Sequence, residues 1–330
     1  MSTRTRRSSG PTFVDLFAGA GLFSHAFKSE GYRLQRAIEL NGDAAATCAQ
    51  NHGADVVTHG DVARVRDLDP CDVLIAGPPC QGFSSLGTRR PDDPRNDLWR
   101  HITRQARTLN PQAVVIENVE PFLRTPQWKA LARGLRRLDY HVQVFVLNAA
   151  DFGAPQIRLR SFTLATRKPV PTIKPTRRSG CTVRDAFTGL PSKPDGKNHH
   201  YAPRPSDLAL ARMKVIPAGG DKRDVMKAAP HLAPPSWRRT QSEATDVWGR
   251  MEWDAPSNTL RTAIQNPSKG RYIHPAQNRV ISLREAARLQ TIPDNWTFCG
   301  RPYPVASQIG NAVPPVLGKV VARTIRKLLD

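Results

Sequence analysis

Residues 12–27 read TFVDLFAGAGLFSHAF, and the order of residue types in this stretch decides the fold. The run TFVDLF has the length and aromatic, β-branched content of a buried strand. It passes without a gap into Ala18-Gly19-Ala20-Gly21 and then into LFSHAF, which has helical character. A strand entering a helix through a glycine turn opens an α/β unit. Glycine lets the backbone come close to a ligand, and the helix N-terminus faces it. Ser24 stands where a dinucleotide fingerprint has its third glycine, so the turn alone suits a nucleotide-type ligand and a plain tight turn equally well.

Outward from this stretch, short apolar runs alternate with helix-like segments to about Leu164: RLQRAIEL, DVVTHG, CDVLIAG, AVVIEN and VQVFVLN. The rhythm predicts an α/β, doubly wound, mostly parallel sheet with helices on both faces. Chemistry-bearing residues recur at the ends of these strands, where open α/β sheets hold their ligands. Glu39 lies twenty residues beyond Gly19, placed either to accept two ribose hydroxyls or to be a surface acid. Asp61 follows the third run as an adenine contact or a helix N-cap. The fourth run leads into Gly77-Pro78-Pro79-Cys80-Gln81-Gly82-Phe83-Ser84. Two prolines fix the backbone before Cys80, and a rigid turn at a strand end marks this thiol as the reactive one. Cys48, Cys71, Cys181 and Cys299 read as inert. AVVIEN ends in Glu117 and Asn118; a carboxylate leaving an apolar strand is partly desolvated, suited to protonating a base edge or to a cap or salt bridge.

Composition narrows the partner. The 330 residues carry 49 Lys and Arg against 28 Asp and Glu, a net charge of +21, which calls for a polyanion. No apolar run long enough to cross a membrane occurs, and no signal segment, so nucleic acid is the expected partner and the cytoplasm the expected place. Five scattered cysteines predict a reducing compartment and no metal site. Residues 1–10 read as a disordered basic tail. Between Pro169 and Pro235 stand eleven prolines in 67 residues, which predicts a loop-rich region with short edge strands. ISLREAARLQ then reads as a helix, and the apolar spacing of PPVLGKVVARTIRKLLD predicts a last helix packed on the first domain. The expected division is 11–190 with 300–330 as the catalytic and cofactor-binding domain, and 191–299 as the recognition domain with its connecting helix.

At this point the chain resembles the DNA cytosine-5 methyltransferase family, bacterial type, through nearly its whole length. Phe17-Ala18-Gly19-Ala20-Gly21 looks like the first family motif, Pro78-Pro79-Cys80-Gln81 the catalytic one, and Glu117-Asn118-Val119 the base-binding one. Gln156-Ile157-Arg158-Leu159-Arg160 resembles the paired-arginine motif, residues 279–290 the connecting helix, and Gly310-Asn311-Ala312-Val313 the last motif. The resemblance implies a Rossmann-like S-adenosylmethionine-dependent domain and a smaller irregular target-recognition domain. It implies methyl transfer to C5 of a flipped-out cytosine in a specific short sequence of double-stranded DNA, through a covalent bond between Cys80 and C6. Glu117 would act at N3 of the base, with Arg160 and Arg158 holding it. The implied cofactor set is Phe17, Ala18, Gly19, Ala20, Gly21 and Leu22 at the first turn, Glu39 with Leu40, Asp61 with Val62, Pro78, and Asn311, Ala312 and Val313. The implied DNA contacts are Gln81, Ser84, Arg89, Arg90 and Arg95 in a closing loop, and Thr259 and Leu260 in the recognition segment. His199, His200 and His274 are further candidates for base or phosphate. The stretch 156–178 holds seven Lys or Arg and no acid and reads as a DNA groove. A monomer with a companion restriction endonuclease acting on the same site is the expected biological setting.

Other classes are weighed against this one. A tRNA cytosine methyltransferase shares the scaffold, but the roughly ninety-residue recognition segment favours duplex DNA. An NAD-dependent oxidoreductase explains the glycine turn and Glu39 yet gives Cys80, Glu117 and the arginine pair no task. A DNA-binding protein that has lost activity has no use for the intact set.

Overall fold

The computed structural model describes residues 10–79, 97–176, 180–239 and 246–329. The strands are β1 (Thr12–Leu16), β2 (Arg33–Glu39), β3 (Val57–His59), β4 (Val73–Ala76), β5 (Ala113–Asn118), β6 (His141–Asn148) and β7 (Leu159–Thr166). The helices are α1 (Leu22–Ser29), α2 (Gly42–His52), α3 (Trp99–Leu109), α4 (Pro126–Arg136), α5 (Val183–Phe187), α6 (Asp207–Val215), α7 (Lys222–Ala228), α8 (Pro235–Arg239), α9 (Leu283–Leu289), α10 (Pro302–Asn311) and α11 (Pro315–Leu329). The chain divides into two compact units: Met1–Asn148 with Leu159–Pro175 and Pro315–Asp330, and Ala149–Arg158 with Thr176–Pro314. Residues 176–190 and 300–314, expected with the catalytic domain, thus pack in the second unit, as does the first half of the paired-arginine motif.

In the first unit the strand order is β3-β2-β1-β4-β5-β7-β6. Strands β1 to β5 run parallel, so the order reverses between β1 and β4 and leaves a crevice at their carboxyl ends. Alternation along β1 sorts its side chains. Val14 and Leu16 join Leu74, Val114 and Ile116 against Ile102 of α3 and Leu131 and Leu135 of α4. Phe13 faces the other way, its ring 5.5 Å from that of Phe27. On that side α11 lies against α1, as its apolar spacing predicts. The Tyr32 hydroxyl donates to Ala322 O at 2.9 Å and Arg323 pairs with Glu30 at 2.7 Å. Gly318 gives α11 its close approach, since a Cβ there would stand 2.5 Å from the Ala26 methyl.

β7 is not among the foreseen strands. Its start, LRS, reads as part of a charged motif, and the strand pairs antiparallel with both β5 and β6. An antiparallel pair needs no crossover helix, so the β-helix-β rhythm that betrays the other strands gives no sign of it.

The second unit holds α5 to α10, and among its described residues the ladder pairing is limited to isolated bridges, Gln156 with Ser257, Arg250 with Ile273 and Ile273 with Val280. The expected short edge strands do not form among the described residues. Loop carbonyls buried without a sheet need other donors, and arginine forks supply them. Arg250 donates to the carbonyls of Met213, Ile216, His274 and Gln277 and to Asn278 Oδ1, at 2.6 to 2.8 Å. Arg284 donates to the carbonyls of Asn198, Pro293 and Trp296. Arg279 grips Glu285 of α9 with two bonds of 2.7 and 2.8 Å, and Ser282 and Glu285 form a capping box at that helix. No helix among the described residues is long and apolar enough to cross a membrane.

Candidate active site

Phe17 and Gly19 turn the chain out of β1 with φ of 65° and 55°, and Gly21 follows at 81°. This left-handed backbone is what glycine tolerates at little cost. Gly21 is further required by crowding, because a Cβ would meet the His52 ring at 2.8 Å and Cys48 Sγ at 2.9 Å. Below the turn, the buried Asp15 accepts a 2.6 Å hydrogen bond from Ser24 Oγ on α1, so Ser24 serves as a lock where the fingerprint has glycine. Burial pushes the Asp15 carboxyl up to about 8, against the lowering effect of that hydrogen bond. Burial pushes His52 down to about 4, and its Nε2 donates to Gly21 O at 2.8 Å. Neither Asp15 nor His52 was singled out by sequence; a polar residue among apolar ones in β1 was the available signal.

Glu39, at the end of β2, accepts from Gly19 N and Asn41 N at 2.7 Å each. Its carboxylate therefore joins the glycine turn to the start of α2. Leu40 beside it is 68% exposed. Asp61 accepts from Ala63 N at 2.8 Å, capping the turn after β3, while Val62 is buried. The first turn of α1 carries neither a side-chain cap at Gly21 nor an acid of its own, and the Ser24 N–H is engaged by the buried Asp15.

At the neighbouring strand ends, Asn118 Nδ2 donates to Pro78 O at 3.2 Å, which ties the end of β5 to the proline turn. Ser161 Oγ of β7 donates to Asn118 O at 3.0 Å. Glu117 meets Arg160 of β7, Nε to Oε1, at 3.0 Å, with both side chains largely buried. Its other oxygen lies 3.8 Å from the Cβ position of Gly77. β7 is thus the strand that delivers the arginine to the acid. Cys80, Gln81, Ser84, Arg89, Arg90 and Arg95 lie outside the described residues. Burial pushes the thiols of Cys48 and Cys71 up to about 12, which keeps them protonated and inert.

In the second unit several candidates are engaged by the protein itself. Arg158 is 1% exposed, and its guanidinium donates to Leu260 O, Gly310 O and Ala312 O at 2.7, 2.7 and 3.1 Å. Leu260 is buried and Thr259 Oγ1 donates to Ile157 O at 2.7 Å, so neither Arg158 nor Leu260 presents its side chain to a base. His274 accepts from Ala276 N and Gln277 N on Nδ1, with burial and Arg279 pushing it down to about 4. His200 lies between Ser282 Oγ and Pro191 O, and His199 packs on Phe298. These histidines hold loops together. Of the basic residues in the stretch 156–178, Arg167 of the first unit stacks on Tyr140 at 3.8 Å and donates to Leu138 O. Asn311 is exposed, whereas Ala312 and Val313 are buried.

A mostly parallel sheet with a glycine turn and acid at the switch point, and an acid–arginine pair at the next strand end, fits a Rossmann-like methyltransferase. The chain belongs to the C-5 cytosine-specific DNA methylases, whose family pattern matches residues 11–327, and it is a DNA cytosine-5 methyltransferase. It is similar to the Type II methyltransferase M1.HphI of Haemophilus parahaemolyticus, 32% identical over 96% of this chain and 87% of that protein. It is also similar to the Type II methylase M.HgiDII of Herpetosiphon aurantiacus, 30% identical over 96% and 95% of the two. Among solved structures, a putative DNA modification methyltransferase of an E. coli prophage superposes with a TM-score of 0.70 at 26% identity, covering 97% of this chain and 99% of that one. The Entamoeba histolytica methyltransferase EhMeth, at 15% identity, shares the fold with a TM-score of 0.73 over 98% of this chain and 100% of that one.

Proposed function

We propose that the enzyme takes the methyl group of S-adenosylmethionine to C5 of a cytosine turned out of double-stranded DNA, through a covalent bond between Cys80 and C6. The observation that carries this reading is the Glu117–Arg160 pair of 3.0 Å beside Gly77, three residues before Cys80. The strand ends suit an adenosine-type cofactor. Glu39 offers a carboxylate to ribose hydroxyls and Leu40 an uncovered apolar surface. Phe17 to Leu22, Asp61, Val62 and Pro78 complete the set in the first unit; Asn311, Ala312 and Val313 are assigned to it from the second. Bound there, the cofactor supplies an electrophilic sulfonium methyl group.

C5 of cytosine is too weak a nucleophile to take a methyl group unaided, so the residues must first change the ring. Cys80 thiolate adds to C6, while Glu117 holds a proton at N3 and Arg160 orients the acid. The electron pair then resides at C5, which would form the new carbon–carbon bond as the sulfur–methyl bond breaks and its electrons stay on sulfur. Loss of the C5 proton to a water molecule and departure of Cys80 as thiolate restore the aromatic base. C6 is closed off within stacked duplex, which is why the base must leave the helix. Gln81, Ser84, Arg89, Arg90 and Arg95 are proposed to meet DNA, and the Type II names of the relatives suggest a companion restriction endonuclease.

The test is a duplex with 5-fluorocytosine at the target. Fluorine does not leave as a proton does, so the wild-type protein should be trapped as a denaturation-resistant adduct in the presence of cofactor, and Cys80→Ser should not. Equal trapping of both would remove Cys80 from its role.

A further inference from the structure

We propose that Arg158 is a positioning residue that sets the Gly310-Asn311-Ala312 turn and the Thr259-Leu260 pair in one fixed relation, and does not touch the base. Its motif partner Arg160 faces a carboxylate, whereas Arg158 faces backbone. The two Nη atoms reach three carbonyls on two segments far apart in sequence, Leu260 on one side and Gly310 and Ala312 on the other. Because the carbonyls on either side of Asn311 are both drawn to one guanidinium, the end of α10 is pinned there, and Asn311 itself is exposed.

Neighbouring contacts make the tie narrow. Leu260 N donates to Gln156 Oε1 at 3.2 Å, and Ile157 N to Ser257 O at 2.8 Å. Gln290 Nε2 donates to Ile309 O at 2.8 Å. Gly310 lies so close to the recognition segment that a Cβ would meet Arg261 O at 2.4 Å. A planar fork with fixed donor directions fits this arrangement; a lysine ammonium reaches the same carbonyls with poorer geometry and a stronger hold on water.

The inference rests on the methyl-transfer reading, under which the Asn311 turn serves the cofactor and the Thr259-Leu260 pair serves DNA. The experiment is steady-state kinetics of wild type, Arg158→Lys and Arg160→Lys with S-adenosylmethionine and unmethylated plasmid DNA, each varied in turn. Arg158→Lys should raise KM for both substrates together, about tenfold each as expected for one weakened charge-assisted hydrogen bond, with kcat at saturation within a few-fold of wild type. Arg160→Lys should do the converse, losing kcat. Collapse of kcat in Arg158→Lys with unchanged KM values would overturn the inference, as would a rise in KM for one substrate alone. If Arg158→Lys does not melt cooperatively, Arg158→Gln, which keeps two donors, takes its place; failure of both to fold would assign Arg158 to the core and also overturn it. Inactive wild type would instead count against the methyl-transfer reading.

Discussion

At the scale of single residues, the acids of the first unit separate into distinct tasks. Glu117 is held by Arg160 and is proposed to act at the base, so Glu117→Gln should lower turnover by about a hundredfold or more, as for loss of a general acid, with cofactor binding little changed. Glu39→Ala should do the reverse and weaken cofactor binding by roughly ten- to a hundredfold. Calorimetric titration of both variants with cofactor decides between this division and its opposite. Asp15 acts through pH. Its folded carboxyl titrates near 8 instead of 3.8, so between these values the folded protein keeps a proton that the unfolded chain releases. Stability from this site is therefore full below about pH 4 and is lost as pH rises to about 8. Asp15→Asn should melt close to wild type at pH 4 and progressively higher than wild type toward pH 8; a difference constant with pH would refute the assignment. Sequence disclosed Glu39, Glu117 and Arg160 because each stands at a strand end in a readable motif. Arg158, His200 and His274 look like ligands in the same one-dimensional text, yet in the folded chain they are buried and bonded to the protein, while His199 is half-buried against Phe298.

Among elements, β4 and β5 are central parallel strands buried along their whole length, and such strands are legible as near-continuous apolar runs; β1 and β2 carry polar residues as well and are legible from the alternation of strand and helix patterns. β7 escaped because its neighbours are supplied by a sheet order that local spacing does not encode. The second unit escaped more fully: prolines reveal that it lacks long helices and strands, but not that arginines would stand in for a ladder. Helix packing gives a direct check. In α11, Gly318→Ala gains about 1 kcal/mol in helix propensity but places a methyl 2.5 Å from that of Ala26, and overpacking of this kind costs about 1–3 kcal/mol. The clash should prevail, lowering the melting temperature; a more stable variant would mean that α1 and α11 yield to each other readily.

For the molecule as a whole, the net charge of +21 overstates what is offered to DNA, because Arg158, Arg250, Arg279 and Arg284 are buried and bonded inward. The remaining cations still favour a steep salt response. With about six to ten phosphate contacts, affinity for duplex DNA should fall on the order of 10³ to 10⁵ between about 50 and 200 mM salt. A flat response in a filter-binding titration would contradict that number of contacts. The inward arginines carry another consequence. Their acceptors are mostly main-chain carbonyls, which every amino acid possesses, so the recognition segment is fastened by a grip indifferent to the identity of what it holds. Of these arginines only Arg250 lies within residues 191–278, so the other side chains of that segment are free to vary as long as its counterpart is kept. A chimera carrying a relative's equivalent of residues 191–278, with the counterpart of Arg250, should accordingly stay active and methylate the donor's sequence, read by bisulfite sequencing; retention of the original target would place recognition elsewhere in the chain.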